Sequence, residues 1–312
     1  MKNIVKRLYP KISISICTRE RPKMLSRLLE SLGDMVYPED ILVSIDIFEN
    51  GATKTLTELI QKISKRIPVE VNHHWEQRLG IPIVRNTAIK VAKDTNVTHI
   101  IFIDDDERVD QFWLENLWNY YLQCEASTVI QGAVISSIET KKNPHLHYHF
   151  QRPIKSTGDT LESCATNNVL INLKVLLDHE LSFDETRPLA GGTDSKLFHK
   201  AHACGIPMSY CAEAVVYEDI PEERVGIAWL GKRHFRIGLT VGQNKKKEGE
   251  KLSYPFNHGW LAFRSLAKSI TALIRFNRQK FHKRWLWASK CAGKALGFFN
   301  VTIDSYKKID GQ

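Results

Sequence analysis

Cysteine is sparse in this 312-residue chain: six thiols (Cys17, Cys124, Cys164, Cys204, Cys211 and Cys291), with no C-x-x-C spacing among them. No disulfide framework is expected, and reduced thiols in a cytoplasmic protein are the simple expectation. No uncharged apolar run reaches about 18 residues, so no membrane-spanning helix is expected. The opening MKNIVKRLYPKISISICT lacks the apolar core and small-residue cleavage site of a signal peptide, and none is expected. No internal repeat is present. Acidic residues are nearly missing from one stretch. Between Lys245 and Lys294 there are thirteen Lys/Arg against Glu248 and Glu250, while the rest of the chain holds 31 basic and 33 acidic residues. The net charge of +9 is thus a property of one segment and not of the whole fold.

What is present is an ordinary globular composition, 43% hydrophobic and 25% charged, long enough for one large domain or two smaller ones. HIIFIDDDE (His99 to Glu107) is its most informative stretch. A β-branched apolar run reads as a strand buried on both faces, and this one ends in four carboxylates. Crowded carboxylates repel and resist desolvation unless a cation or protons neutralise them. A D-x-D at a strand end sends Asp104 and Asp106 to one side by strand alternation, where both can reach one cation. Hard oxygen ligands suit Mg²⁺ or Mn²⁺, while a solvated acidic turn paired with Arg or Lys is the plainer account of an isolated D-x-D.

Strand and helix signals alternate up to residue 107. KISISICT is a strand and RERPKMLSRLLESL a helix, with Pro22 in its first turn and Leu25, Leu28, Leu29 and Leu32 on one face. DILVSIDIFENG, TKTLTELIQKISKRI, VEVNHHW and GIPIVRNTAIKVAKD continue as strand, helix, strand, and turn with helix. This order predicts an α/β fold with a mostly parallel sheet flanked by helices, and ligands gathered at carboxyl strand ends. After residue 107 the pattern gives a helix in FWLENLWNYYLQC, a strand in STVIQGAVISSIE, and an irregular segment over 140–163 with a short strand or two. A strand entering a helix (ATNNVLINLKVLLDH), a glycine turn with helix (GGTDSKLFHKAHACG) and a strand (MSYCAEAVVYED) follow. From Gly226 onward the chain reads as helical, with a charged break near 244–255. HLHYH would place His145, His147 and His149 on one strand face. No fourth ligand is evident, so a polar strand is expected there and not a zinc site.

Six segments in order, over residues 10–240, give the chain a likeness to a known family. They are ISICTRERPKMLSRLLESL, IDIFENGATKT, GIPIVRNTAIKVA, FIDDDE, GGTDSKLFHKAHACG and VYEDIPEERVGIAWLGKRHFRIG. Together they resemble family 2 glycosyltransferases of the GT-A type, in particular bacterial exopolysaccharide and lipopolysaccharide sugar transferases. The resemblance implies a GT-A catalytic domain over 1–243 and a basic amphipathic helical region over 244–312. It implies inverting transfer from a nucleotide-diphosphate sugar, UDP-linked in the commonest case, to a glycan or lipid-linked glycan, with Mn²⁺ or Mg²⁺. Thr18, Arg19, Glu20 and Glu49 would line the base and ribose, although the family usually has Asp where Glu49 stands. Arg85, Asn86, Asp104 and Asp105 would sit beside the nucleotide, and Asp106 with Asp104 would hold the metal. Relatives often place a metal-ligating His near Glu218, which makes Glu218 a further candidate ligand, with a plain surface carboxylate as the alternative.

Asp194 is the candidate general base, presented by the turn Gly191-Gly192-Thr193. An attacking hydroxyl needs one carboxylate to take its proton. Helix-start stabilisation is the plainer account of the same residue. Arg233 and Arg236, with His234 beside them, match a pyrophosphate clamp or a solvated basic face. The tail mixes Trp260, Phe263, Leu266, Ile270, Ile274, Phe281, Trp285 and Trp287 with basic residues, as an interfacial helix on an anionic membrane does. Packing of that helix on the catalytic domain is the alternative. No nucleic-acid motif accompanies the charge, so no nucleic-acid partner is expected. The expected location is the cytoplasm, peripheral on the inner face of the membrane. The rival readings are a nucleotidyltransferase and a non-catalytic membrane-associated binding module.

Overall fold

Lys11–Thr18 forms the first strand, β1, and its alternation sorts the core at once. Ile12, Ile14 and Ile16 turn to one face, where Leu25, Leu28, Leu29 and Leu32 of helix α1 (Pro22–Asp34) cover them. The computed structural model describes residues 9–186, 188–189 and 192–301. Strands β2 (Leu42–Asn50), β3 (Glu70–Glu76), β4 (His99–Asp104), β5 (Glu107–Val109), β6 (Val129–Ser137), β7 (Val169–Asn172) and β8 (Met208–Asp219) complete one sheet. Its order is β3-β2-β1-β4-β7-β6-β8-β5. The first four strands in that order are parallel, β7 runs antiparallel to β4 and β6, and β5 runs antiparallel to β8.

Helices α2 (Thr57–Ser64) and α4 (Trp113–Tyr121) join α1 on one face. On the other lie α3 (Ile81–Asp94), α5 (Leu173–Asp178) and α6 (Thr193–Ala203). The strand in HIIFIDDDE is buried on both sides, with Ile101 and Ile103 in the first core and Ile100 and Phe102 in the second. This is the expected GT-A-like α/β architecture, a mostly parallel sheet flanked by helices.

A polar side chain shapes the sheet near the site. Asn168, fully buried with a left-handed φ of 63°, donates to the carbonyls of Ala133 and Ala214 at 2.8 Å and accepts from the Trp113 indole at 2.7 Å. These bonds fill the bulge where β6 and β8 slip register between Gly132 and Ala133. A Cβ on Gly132 would lie 2.3 Å from the Asn168 amide, so only glycine fits. Beyond the bulge β8 runs on to Glu218.

Two local expectations change. Residues 144–149 form a 3-10 helix and not a strand, started by Pro144 after Asn143 in the left-handed region. His145, His147 and His149 therefore share no strand face. His145 stacks on His282 and His149 lies edge-on to His234. The strand ending in HIIFIDDDE stops at Asp104, so Asp105 and Asp106 lie in a turn and strand alternation does not govern them.

From Gly226 the chain is helical: α7 (Ile227–Lys247), α8 (Ser253–Ile274) and α9 (Arg278–Phe298), with the charged break at Glu248–Leu252. Helix α9 runs alongside α7 in the same direction, since Gly231 meets Trp285 and Gly242 meets Phe298. Between them in sequence, α8 runs back against α9, with Tyr254 beside Phe298 and His258 near Lys294. No described helix is long and apolar enough to cross a membrane.

Candidate active site

The carboxyl ends of β1, β2 and β4 frame a cleft of about 280 Å³. In an open parallel sheet this edge collects ligands, because the connections diverge there and leave a crevice. Thr18, Asn50 and Asp104 to Asp106 come from the strand ends, and Gly80 and Arg85 from the start of α3. Glu218 and Arg224 come from β8 and the turn after it.

Each of the three aspartates has a different environment. Asp104 opens onto the cleft with 42% of its side chain exposed, and Arg85 approaches it at 3.3 Å. Desolvation by the cleft wall, opposed by Arg85 and reinforced by Asp106 and Asp105, pushes its pKa up to about 6. Water reaching the open side relieves part of the desolvation, so the neighbouring carboxylates are the more durable cause. Asp105 is buried and accepts from Thr18 Oγ1 at 2.7 Å and Arg21 Nη1 at 2.8 Å. It ties the end of β1 to the end of β4. Asp106 lies 3.2 Å from Arg224 and 3.6 Å from Arg21. Behind them Glu107 is buried, accepting from the Asp104 backbone N–H at 2.9 Å and Asn167 at 3.1 Å. Burial, then the charge of Asp104, raises its pKa well above the carboxylate range.

A second arginine group faces Glu218. Arg152 donates to that carboxylate at 2.6 Å. Arg233 lies over the Trp229 ring, within electrostatic reach of Glu218, Arg152, Arg224 and Arg236, and burial lowers its pKa. Arg21, Arg152 and Arg224 belong to the site although none of the sequence motifs names them. Arg21 had a signal, since it precedes Pro22 at the strand-to-helix turn that fixes Arg19 at the cleft. Arg152 and Arg224 sit in irregular segments whose pattern gives no direction.

Several of the expected residues are not brought to the cleft wall. Glu49 is fully buried but points to the start of α2. It accepts from Thr55 N at 2.5 Å, Thr55 Oγ1 at 2.8 Å and Leu56 N at 3.2 Å, with His73 Nε2 at 2.9 Å. These bonds also delay α2 to Thr57, later than its apolar pattern suggested. Asn86 turns to residues 183–185, donating to Phe183 O at 2.9 Å and Glu185 at 2.7 Å and accepting from Phe183 N at 2.9 Å. Glu20, between the lining residues Arg19 and Arg21, does not line the cleft itself; its backbone is in the left-handed region, φ 51°, and its carboxylate lies beside Arg19.

Asp194 occupies the first turn of α6, where its carboxylate accepts from Ser195 N at 2.8 Å; it does not line the cleft. Gly192 before it has a φ of 82° and packs on Thr240 of α7, while Gly191 lies outside the described residues. The loop before α6 reaches the cleft through Gly80. At a φ of 146°, Gly80 lets Pro188 approach so closely that a Cβ would sit 2.5 Å from it.

The donor set suits a hard cation that takes one or two carboxylates and completes its shell with phosphate and water. Asp104 and Asp106 offer those oxygens, in a carboxylate crowd that Arg85, Arg21 and Arg224 already answer in part. A ready-made cage with Glu218 as third ligand is not formed. Among the described residues no three His, Cys, Asp or Glu side chains gather closely enough, and Glu218 is engaged by Arg152.

The chain is 26% identical over 253 residues to the succinoglycan biosynthesis protein ExoM of Rhizobium meliloti (strain 1021), covering 79% of both chains. Its fold resembles that of S. aureus TarS. The TarS 1–349 structure gives a TM-score of 0.54 at 14% identity, covering 97% of this chain and 95% of that one. Against a longer TarS chain, this chain spans 55% of the length. GalNAc-T7, solved with UDP, GalNAc and Mn²⁺, gives 0.55 at 16% identity, over 68% of this chain and 44% of its own. The model of glycosyl transferase family 2 matches residues 13–177, just over half of the chain. The strand-end cleft, its aspartates and the arginines that answer them thus lie on the scaffold of a member of glycosyl transferase family 2.

Proposed function

We propose that this protein is an inverting glycosyltransferase of cell-surface polysaccharide synthesis, moving a sugar from a nucleotide-diphosphate donor to a hydroxyl of a glycan or lipid-linked glycan. The observation that carries this is the pairing of Arg21, Arg85 and Arg224 with Asp104 to Asp106 at the carboxyl edge of the sheet. A nucleotide diphosphate needs cations along its phosphates, and arginine matches phosphate geometry with two donors. TarS 1–349 has been solved with UDP-GlcNAc, which favours a UDP-linked donor here.

Donor entry would exchange carboxylate–arginine pairs for phosphate–arginine pairs. Asp105 would stay on Thr18 and Arg21, holding the two strand ends in place. Arg152 and Arg233 on the Glu218 side, with Arg236 near Arg233, would supply further cations to the phosphates. Mn²⁺ or Mg²⁺ on Asp104 and Asp106 would stabilise the charge of the departing diphosphate. Asp194, presented by Gly192 at the start of α6, would accept the acceptor's proton. Residues 1–243 would carry the transfer. The basic region 244–312 would hold the protein on the inner face of the cytoplasmic membrane, near a lipid-linked acceptor.

The test is release of nucleotide diphosphate from a panel of nucleotide sugars with Mn²⁺ or Mg²⁺, with and without EDTA. One donor should be hydrolysed in a metal-dependent way, with release lost in Asp106→Ala. Asp194→Asn should retain donor binding by calorimetry and lose transfer; a nucleotidyltransferase would keep its chemistry in that variant. Absence of donor binding with metal present would overturn the proposal.

A further inference from the structure

Among the three C-terminal helices, α8 packs inside out, beside a tight seam between α7 and α9. Along α7 and α9 the seam is glycine: Gly238 and Gly242 face Gly293 and Gly297. A Cβ on Gly293 would lie 2.1 Å from Phe235 O, and one on Gly242 2.2 Å from Lys294 O, so the backbones touch. Helix α8 buries Ser265, Ser269 and Ala272. Seams of small residues are how helices associate where no hydrophobic force drives large side chains inward.

The large side chains of α8 point the other way. Phe256, Trp260, Phe263, Ile270 and Ile274 share one face at 3.6 residues per turn, opposite the buried serines. Trp260 is 62% exposed, Phe263 64% and Ile274 70%, and Phe276 in the following turn is 92% exposed. A soluble monomer rarely leaves so continuous an apolar row in water. Arg264, Lys268 and Arg275 flank the row. From Lys251 to Val301 there are ten Lys/Arg and no Asp or Glu.

We propose that this outward face of α8, with Phe276 at its end, lies in the headgroup–acyl boundary of an anionic lipid bilayer. The inference deepens the peripheral-membrane part of the proposed function, on which it rests, by naming the surface. Aromatic and aliphatic side chains enter the boundary while the flanking cations meet anionic headgroups. A protein partner would have to bring apolar area ringed by acid, whereas an anionic bilayer presents both along the whole length of the helix. The geometry also orients the enzyme. Because α9 runs parallel to α7, the α8–α9 turn carrying Phe276 lies at the end of the bundle where α7 begins. That is the end joined to Arg224, which lines the cleft. A lipid-linked acceptor in the same bilayer would then be presented at the cleft's end of the bundle.

The experiment is flotation of the full chain with phosphatidylcholine vesicles, with and without phosphatidylglycerol, in the absence of donor and metal. Wild type should float with the anionic vesicles, less so at high salt, and poorly with the neutral ones. The combined variant Arg264→Gln, Lys268→Gln, Arg275→Gln should lose about a hundredfold in anionic-vesicle affinity, near fivefold per charge. Trp260→Ser, Phe263→Ser, Ile270→Ser should lose at least about a hundredfold from apolar burial alone. These side chains are exposed, so melting and donor hydrolysis in solution should stay at the wild-type level. That separates failure here from failure of the transferase reading. Wild type that does not float, or serine variants that float like wild type, would overturn the proposal. So would a dimer dispersed by the serine variants without any flotation, which would make the face a self-association surface.

Discussion

Glu49 offers the sharpest test of how this structure assigns its carboxylates. Family likeness puts the residue against a nucleotide base or ribose; the structure commits it to the start of α2 and to His73. Glu49→Ala would leave the buried N–H of Leu56 and the half-buried N–H of Thr55 without their acceptor. An unsatisfied buried donor costs about 1–3 kcal/mol and a half-buried one less, so the loss should be about 2–4 kcal/mol, including the shortened support of α2. At the scale of a domain this size, that lowers Tm by about 3–8 °C. Glu49→Gln keeps the volume and one acceptor oxygen but turns an amide N–H₂ toward a donor. It should cost about 2 kcal/mol, since hydrogen bonds to charged groups are worth about 1.5–3 kcal/mol. Burial and Lys54 hold His73 below its ordinary pKa, so its link to Glu49 is mainly a hydrogen bond and should survive moderate salt. Urea unfolding gives the stability, and calorimetry with nucleotide gives the ligand term. A Glu49→Gln variant with unchanged stability and abolished nucleotide binding would refute this reasoning and return the carboxylate to the ligand.

Two further outcomes follow from buried groups outside the cleft. His99 is buried against Trp118 and Tyr121, and burial lowers its pKa from 6.5 to about 4. The depressed value means the folded state holds it neutral, so its contribution to stability is present above pH 6.5 and is lost as the pH falls through about 4. Over that window about 3 kcal/mol should disappear, and urea titrations at stepped pH should give a flatter profile in His99→Gln. Gly293→Ala drives a methyl into the Phe235 carbonyl, forcing α7 and α9 apart at a cost of about 1–3 kcal/mol. Circular dichroism melting should register that cost, and an unchanged Tm would mean the glycine seam is not tight.

Elements with strong periodicity were legible from residues alone. The leucines of α1, the β-branched runs of β1 and β4, and the Gly205 stop of α6, at a φ of 76°, follow rules that act within a few residues of chain. The 3-10 helix at Pro144–His149 escaped this reading, because alternating His and apolar residues suggest a strand until Pro144 and Asn143 set the backbone. In the site, the positions of Asp104 to Asp106 at a strand end were readable, since an apolar run stopping in acid marks where a buried strand emerges.

Sequence by itself therefore determined the α/β scaffold, the strand-end aspartates and a basic helical tail, all carried by local pattern and composition. Tertiary structure alone decided which charges meet. Arg224 reaches Asp106 across 118 residues and Arg152 reaches Glu218 across 66, distances over which no periodicity speaks. It also decided which way α8 faces. A helix rich in large apolar side chains would ordinarily bury them, but the glycine and serine seams let the backbones close on one another. The small residues took the interior, and the aromatics were left outside.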